Sequence, residues 1–258
     1  MNAQRQMPFN TPIKKPANPK RRPMRSLKKD LQRSDERFIR LSPTSGLNLF
    51  KECPRCFWLH HHENVKRPQG PFPSLPGGMD LVIKDYFDQF RGSLPPELQE
   101  KVDGKLMEDN ALMNVWRNWR TGLAYKDTER NAELFGALDD CLVIDGKYAP
   151  LDYKTRGSPP RPGDSERYYQ TQLDSYTLML RENGYPVADH GYLVYYFPNK
   201  VERGGVVHFS VYPVRMELDA ERARKLFYEA VECLRGTAPK KHASCIYCDW
   251  VTRFAEFD

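Results

Sequence analysis

Two acids and a lysine between residues 136 and 154 carry the strongest chemical signal in this chain. Gly136-Ala-Leu-Asp139 precedes Leu151-Asp152-Tyr153-Lys154, and Asp145-Gly146 lies between them, with Leu142-Val143-Ile144 before it and Tyr148 after it. Asp-Gly between apolar runs predicts a two-residue hairpin turn, because both turn residues must take positive φ. Pairing across that turn sets Ile144 against Lys147 and Asp139 against Asp152. Carboxylates directly opposite on one face of a strand pair repel, so the arrangement calls for a cation between them. Side chains alternate along a strand, so Asp152 and Lys154 share a face. Two carboxylates and an ammonium meeting at one spot suit magnesium-assisted hydrolysis of a phosphodiester. Pro150 cannot donate to a ladder and marks an edge or a bulge, which allows a one-residue slip in this register.

The elements around the hairpin alternate between helix and strand. Met79, Val82, Ile83, Tyr86 and Phe90 recur at helical spacing over residues 79–90. Residues 97–130 read as polar helix anchored by Trp116 and Trp119, which makes 92–133 a helical insert. A helix from about Ser165 to Asn183 is stopped by Gly184 and Pro186. Two aromatic, β-branched runs follow, Tyr192–Phe197 and Val206–Val214, then a helix from about Asp219 to Arg235 closed by Gly236. This order predicts an α/β fold, a small mixed central sheet flanked by helices.

The motifs together resemble the RecB-like branch of the PD-(D/E)XK nuclease superfamily. There a Gly-x-x-Asp strand, an Asp-x-Lys strand and a helix bearing Gln-x-x-x-Tyr occur in that order; here the helix match is Gln172-Leu-Asp-Ser-Tyr176. Asp-x-Lys alone recurs by chance, but the ordered set is far more specific, and the resemblance covers about residues 40–258. It implies a restriction-endonuclease-like core in which Asp139, Asp152 and the main-chain carbonyl of Tyr153 ligate Mg²⁺ or Mn²⁺, hard cations suited to oxygen. Lys154 would stabilise charge on the phosphate or orient the water. Gln172 would hold the water or a base, and Tyr176 would meet a phosphate or simply pack the helix on the sheet. An upstream helix in that branch supplies a further ligand, commonly histidine, and Met79-Asp80-Leu-Val-Ile-Lys84 fits it with Asp80 at that position. The competing reading of Asp80 is an i, i+4 pair with Lys84. Asp85 or Asp88 takes its place if the helix is rotated.

Cys53-Pro-Arg-Cys56 and Cys245-Ile-Tyr-Cys248 flank these elements. Cys-x₂-Cys twice is metal-ligand spacing, and four thiolates suit zinc or a 4Fe–4S cluster. Disulfides are uncommon in an intracellular enzyme. Iron–sulfur members of the RecB-like branch join their chain ends through four cysteines, and the aromatics after Cys-Pro-Arg are similar to their opening. Many of those members divide the cysteines one and three; here the division is two and two. The resemblance implies a 4Fe–4S cluster as a structural staple, with Zn²⁺ as the alternative. Cys141 and Cys233 read as small apolar core residues, and His60-His61-His62 as a polar helix end.

Residues 1–34 hold ten lysines and arginines against Asp30 alone, interrupted by five prolines, so this segment carries +9 in a chain whose total is +6. Such composition predicts a disordered basic tail that contacts phosphates, leaving 35–258 as the nuclease domain. No apolar run reaches membrane-span length and no secretory signal is evident, which points to a soluble, cytoplasmic protein. The function expected is a metal-dependent deoxyribonuclease in repair, recombination or defence. Exonuclease or endonuclease action, strand preference and any helicase or other repair partner stay open. The alternatives are an inactive nucleic-acid-binding module of the same fold and a zinc-stapled RNA-processing nuclease.

Overall fold

The hairpin forms as its turn residues dictate. In the computed structural model, which describes residues 37–68, 70 and 74–257, Asp145 and Gly146 take φ of 49° and 78°, the left-handed pair that a tight two-residue turn requires. Ile144 faces Lys147 and Cys141 faces Pro150, so the register does not slip. Gly191 lies beside Pro150 in the next strand, where a Cβ would stand 2.5 Å from the Pro150 carbonyl oxygen.

The described strands are β1 (Ile39–Leu41), β2 (Lys105–Leu106), β3 (Leu123–Asp127), β4 (Ala132–Gly136), β5 (Asp140–Ile144), β6 (Lys147–Thr155), β7 (His190–Val201) and β8 (Val207–Glu217). A five-stranded mixed sheet runs β2-β5-β6-β7-β8, and a three-stranded sheet runs β1-β4-β3. Within the larger sheet only β6 and β7 are parallel. Parallel neighbours need a crossover, supplied here by a long helix between them. The described α-helices are α1 (Leu49–Glu52), α2 (Pro54–Glu63), α3 (Ser74–Phe87), α4 (Asn110–Arg117), α5 (Asp164–Glu182), α6 (Ala220–Arg235) and α7 (Ile246–Phe254). The compact unit that contains them spans Ser34–Asp258.

Alternation along β6 divides its residues between two cores. Ala149, Leu151 and Tyr153 join Ile83 and Phe87 of α3 in one apolar cluster, with the Phe87 and Tyr153 rings 4.6 Å apart edge to face. On the other face, α5 packs against β6, β8, β3 and β4, and α6 packs on α5. Asp152 and Lys154 point to that second face, so α3 and α5 approach the same end of β5 and β6 from opposite sides.

The expected helical insert is corrected. Residues 92–133 contain a short 3₁₀ turn, β2, α4 and β3, with α-helix only at Asn110–Arg117. In β3 buried Leu123, Tyr125 and Asp127 alternate with half-buried Ala124 and exposed Lys126, a strand period that the polar flanks obscure. Gly122 lets β3 begin close against β4, because a Cβ there would lie 2.3 Å from the Gly136 carbonyl oxygen of that strand. Of the two expected anchors, Trp116 is buried and Trp119 is 67% exposed. The tail expected over 1–34 lies outside the described residues. No helix among the described residues is long and apolar enough to cross a membrane.

Candidate active site and four-cysteine centre

The β5–β6 ladder ends with Asp140 opposite Leu151, which leaves Asp139 and Asp152 as the next facing positions. Gly136 opens this approach: a Cβ there would lie 3.0 Å from both Met179 Cε and Tyr176 Cε1 on α5. A side chain at that position would force the Met179 and Tyr176 side chains to give way. Leu138 N–H donates to the Trp116 carbonyl at 3.0 Å, and Arg117 Nε donates to the Asp139 carbonyl at 2.7 Å. The chain around Asp139 is therefore tied to the end of α4.

Each acid at this end meets a lysine. Lys84 Nζ lies 2.9 Å from Asp139 Oδ1 and 2.8 Å from Asp80 Oδ2, bridging the two. Lys154 pairs with Asp152 Oδ2 and lies 4.7 Å from the centre of the Tyr169 ring. The Tyr153 N–H points to Asp139 Oδ2 at 3.4 Å. From α5, Gln172 Nε2 donates to Asp152 Oδ1 at 2.8 Å and to the Tyr176 hydroxyl at 2.9 Å, while its Oε1 accepts from Lys154 at 3.3 Å. Asp152 is fully buried, and its Oδ2 faces the Lys154 ammonium.

The electrostatics split the acid pair. Burial opposes ionisation of Asp139, but Lys84 and Lys154 outweigh it and hold the carboxyl below its usual range. Burial pushes Asp152 up to about 7, with Lys154 opposing and the Asp139 charge adding to the rise. The acids raise Lys154 in turn, although burial alone would lower it. Two carboxylates that share one end of a sheet offer hard oxygen donors to a divalent cation once both are ionised.

Asp139, Asp152, Lys154 and Gln172 thus come together as expected from the sequence. Tyr176 is buried and reaches the centre through Gln172. Asp80 forms the i, i+4 pair with Lys84, and that ammonium also reaches Asp139. Asp85 is exposed. Asp88 is engaged elsewhere and does not replace Asp80.

That other engagement is a network the sequence reading missed. Asp140 is fully buried and accepts from Arg91 Nη1 at 2.7 Å, Arg91 Nη2 at 2.8 Å, Arg117 Nη2 at 2.9 Å and the Tyr153 hydroxyl at 2.5 Å. Asp88 accepts from both arginines as well. The Tyr153 side chain thereby anchors Asp140, on the face opposite Asp152. The signal was an acid at the head of the apolar run Cys141–Ile144, which strand alternation turns inward.

The four cysteines converge from opposite ends of the described chain. Cys53 is the N-cap of α2 and Cys245 the N-cap of α7, so Cys56 and Cys248 each fall in a first helical turn. Among the described residues these four are the one group of three or more candidate ligands whose donor atoms lie mutually close, all within 4.8 Å. No disulfide joins them. Arg67 Nη2 donates to Cys245 Sγ at 3.8 Å, and its guanidinium lies over the Tyr247 ring. Burial opposes ionisation of Cys53, but the main-chain N–H groups of Cys56 and His242 help draw it down to about 7. Cys141 is buried in the core and Cys233 is half-buried beside it. The histidine run closes α2, where His62 stacks on Trp58 and bonds the Leu234 carbonyl.

Comparison with known proteins adds one finding. Residues 108–253, more than half of the chain, match the PD-(D/E)XK nuclease superfamily. No curated protein matches the chain. The matched region contains Asp139, Asp152, Lys154, Gln172, Tyr176 and the second cysteine pair, while α3 and the first cysteine pair precede it. With the mixed α/β architecture and this ordered set of acids and lysine, the chain belongs to the PD-(D/E)XK nuclease superfamily.

Proposed function

We propose that the protein is a Mg²⁺- or Mn²⁺-dependent deoxyribonuclease of the RecB-like type, serving DNA repair, recombination or defence. The observation that carries this is the convergence of Asp139, the fully buried Asp152 and Lys154 at one strand end, where Asp139 meets Lys84 and Asp152 meets Lys154. Buried carboxylates side by side are costly unless cations compensate them, as Lys84 and Lys154 do here and as a divalent ion would. Asp139 and Asp152 would hold the ion. The Tyr153 carbonyl is a further candidate, since the N–H and C=O of a strand residue leave on the same side and this N–H points to Asp139. Lys84 already holds Asp80 and Asp139 to a single positive charge, the same electrostatic requirement that a shared divalent ion meets. A bound Mg²⁺ or Mn²⁺ supplies Lewis-acid polarisation of the phosphoryl oxygen and a more acidic water.

The chain's own residues supply the rest. Lys154 is the cation positioned to offset charge that develops on the phosphate. Gln172 fixes Lys154 and Asp152 together, and Tyr176 fixes Gln172, so both act as positioning residues. The ten basic residues in 1–34 add charge for phosphate contacts. The test is a panel of matched single-stranded DNA, double-stranded DNA and RNA, each with Mg²⁺, Mn²⁺ or chelator, using wild type and Asp152→Asn. DNA cleavage that needs the cation and is lost in the variant is expected. Preferential RNA cleavage, cleavage in chelator, or tight DNA binding without turnover would contradict the proposal.

A further inference from the structure

The resemblance to iron–sulfur nucleases implies a 4Fe–4S cluster, but the sulfur spacing does not fit one. Cys56 Sγ lies 3.6 Å from Cys245 Sγ and 3.7 Å from Cys248 Sγ, and Cys53 Sγ lies 3.8 Å from Cys248 Sγ. All four lie within 4.8 Å of one another. Four thiolates around one tetrahedral ion with Zn–S bonds of about 2.3 Å stand about 3.8 Å apart. In a four-iron cube each thiolate caps a different iron and points away from the centre. With bonds of similar length, the sulfur separation is then the iron–iron separation plus roughly that same 3.8 Å. The observed edges have space for one ion and none for a cube.

We infer that Cys53, Cys56, Cys245 and Cys248 form a mononuclear zinc tetrathiolate, a closed structural site rather than an iron–sulfur cluster. The scaffold suits it. Cys53 and Cys245 are N-caps, so two helix N-termini present partial positive charge to the thiolates. Arg67 donates to Cys245 Sγ, the outer-shell contact that tunes a thiolate ligand. Cys53 is fully enclosed, Cys56 and Cys245 are buried and Cys248 is half-buried, and four thiolates fill every position of a tetrahedral ion. The site spans 189 residues of sequence between Cys56 and Cys245 and fastens α7 to α2.

The test is metal analysis of untagged protein, purified anaerobically without added metal. Zinc, iron and acid-labile sulfide are measured in wild type, in Asp152→Asn and in the double variant Cys56→Ser/Cys245→Ser. About one zinc per chain is expected in the first two, without iron or sulfide, and loss of the zinc in the third. Should the double variant fail to fold, titration of wild type with a mercurial keeps the proposal exposed, since zinc must leave as the thiols are blocked. Iron with sulfide, iron alone, no metal, or zinc that survives thiol blocking would each overturn it. These readouts are independent of cleavage, so their failure leaves the nuclease proposal standing.

Discussion

Lys84 is the side chain whose role changes most between sequence and structure. From spacing it is one half of an i, i+4 pair with Asp80, worth a few tenths of a kcal/mol. Its second contact, to Asp139, makes it a competitor for any cation that seats between these acids. Lys84→Met is accordingly expected to bind Mn²⁺ more tightly, on the order of tenfold or about 1.4 kcal/mol. Isothermal titration checks this, and unchanged or weaker binding would contradict the competing role. Asp152 adds a pH dependence. Its folded-state pKa is raised from the ordinary 3.8 to about 7 by burial. A carboxyl raised in this way favours folding at low pH, and that contribution is lost as pH climbs from about 4 towards 7. Cation binding requires the ionised form, so it releases a proton below pH 7. Apparent Mn²⁺ affinity should rise by up to about tenfold per pH unit towards 7 and flatten above it. An affinity that is flat between about pH 5.5 and 8 would remove Asp152 from the ligand set.

At the scale of elements, the hairpin and α5 were legible because their signals are local. Asp145-Gly146 dictates both turn and register, and Gln172 and Tyr176 share a helix face whatever the helix packs against. The insert was not legible, since β2 and β3 owe their strand state to pairing with β5 and β4 rather than to their own composition. The same limit hid the Asp140 network: Asp88 and Arg91 lie just after α3, Arg117 ends α4 and Asp140 opens β5, so they meet only once these three segments are packed. Its role is to fix the strand end that presents Asp139. Asp140→Ala leaves two guanidinium groups poorly compensated, each only 9–10% exposed. A loss of about 3–5 kcal/mol is expected, visible as a melting temperature lower by roughly 6–20 °C. A melt within a degree or two of wild type would mean that the network contributes little.

For the whole molecule, the two ends of the nuclease core are joined twice over. The four-cysteine centre links α2 to α7, and Trp58 Nε1 donates to the Gly236 carbonyl at 3.0 Å just beyond α6. The two Cys-x₂-Cys motifs were legible from spacing, and their joining into one site from the family resemblance. The separation of their sulfurs, which bears on the metal's identity, is a property of the folded chain. Between those joined ends, α3 and α5 clamp opposite faces of one sheet and bring Lys84, Asp139, Asp152, Lys154 and Gln172 to a common edge. The central claim is that this edge hydrolyses DNA. The most direct measurement is the cleavage rate of end-labelled DNA with Mg²⁺ or Mn²⁺, wild type against Lys154→Ala, with matched thermal melts as the folding control. The account predicts cation-dependent cleavage by wild type and a loss of about 10²–10³-fold in the variant. Cleavage by Lys154→Ala at the wild-type rate would contradict it.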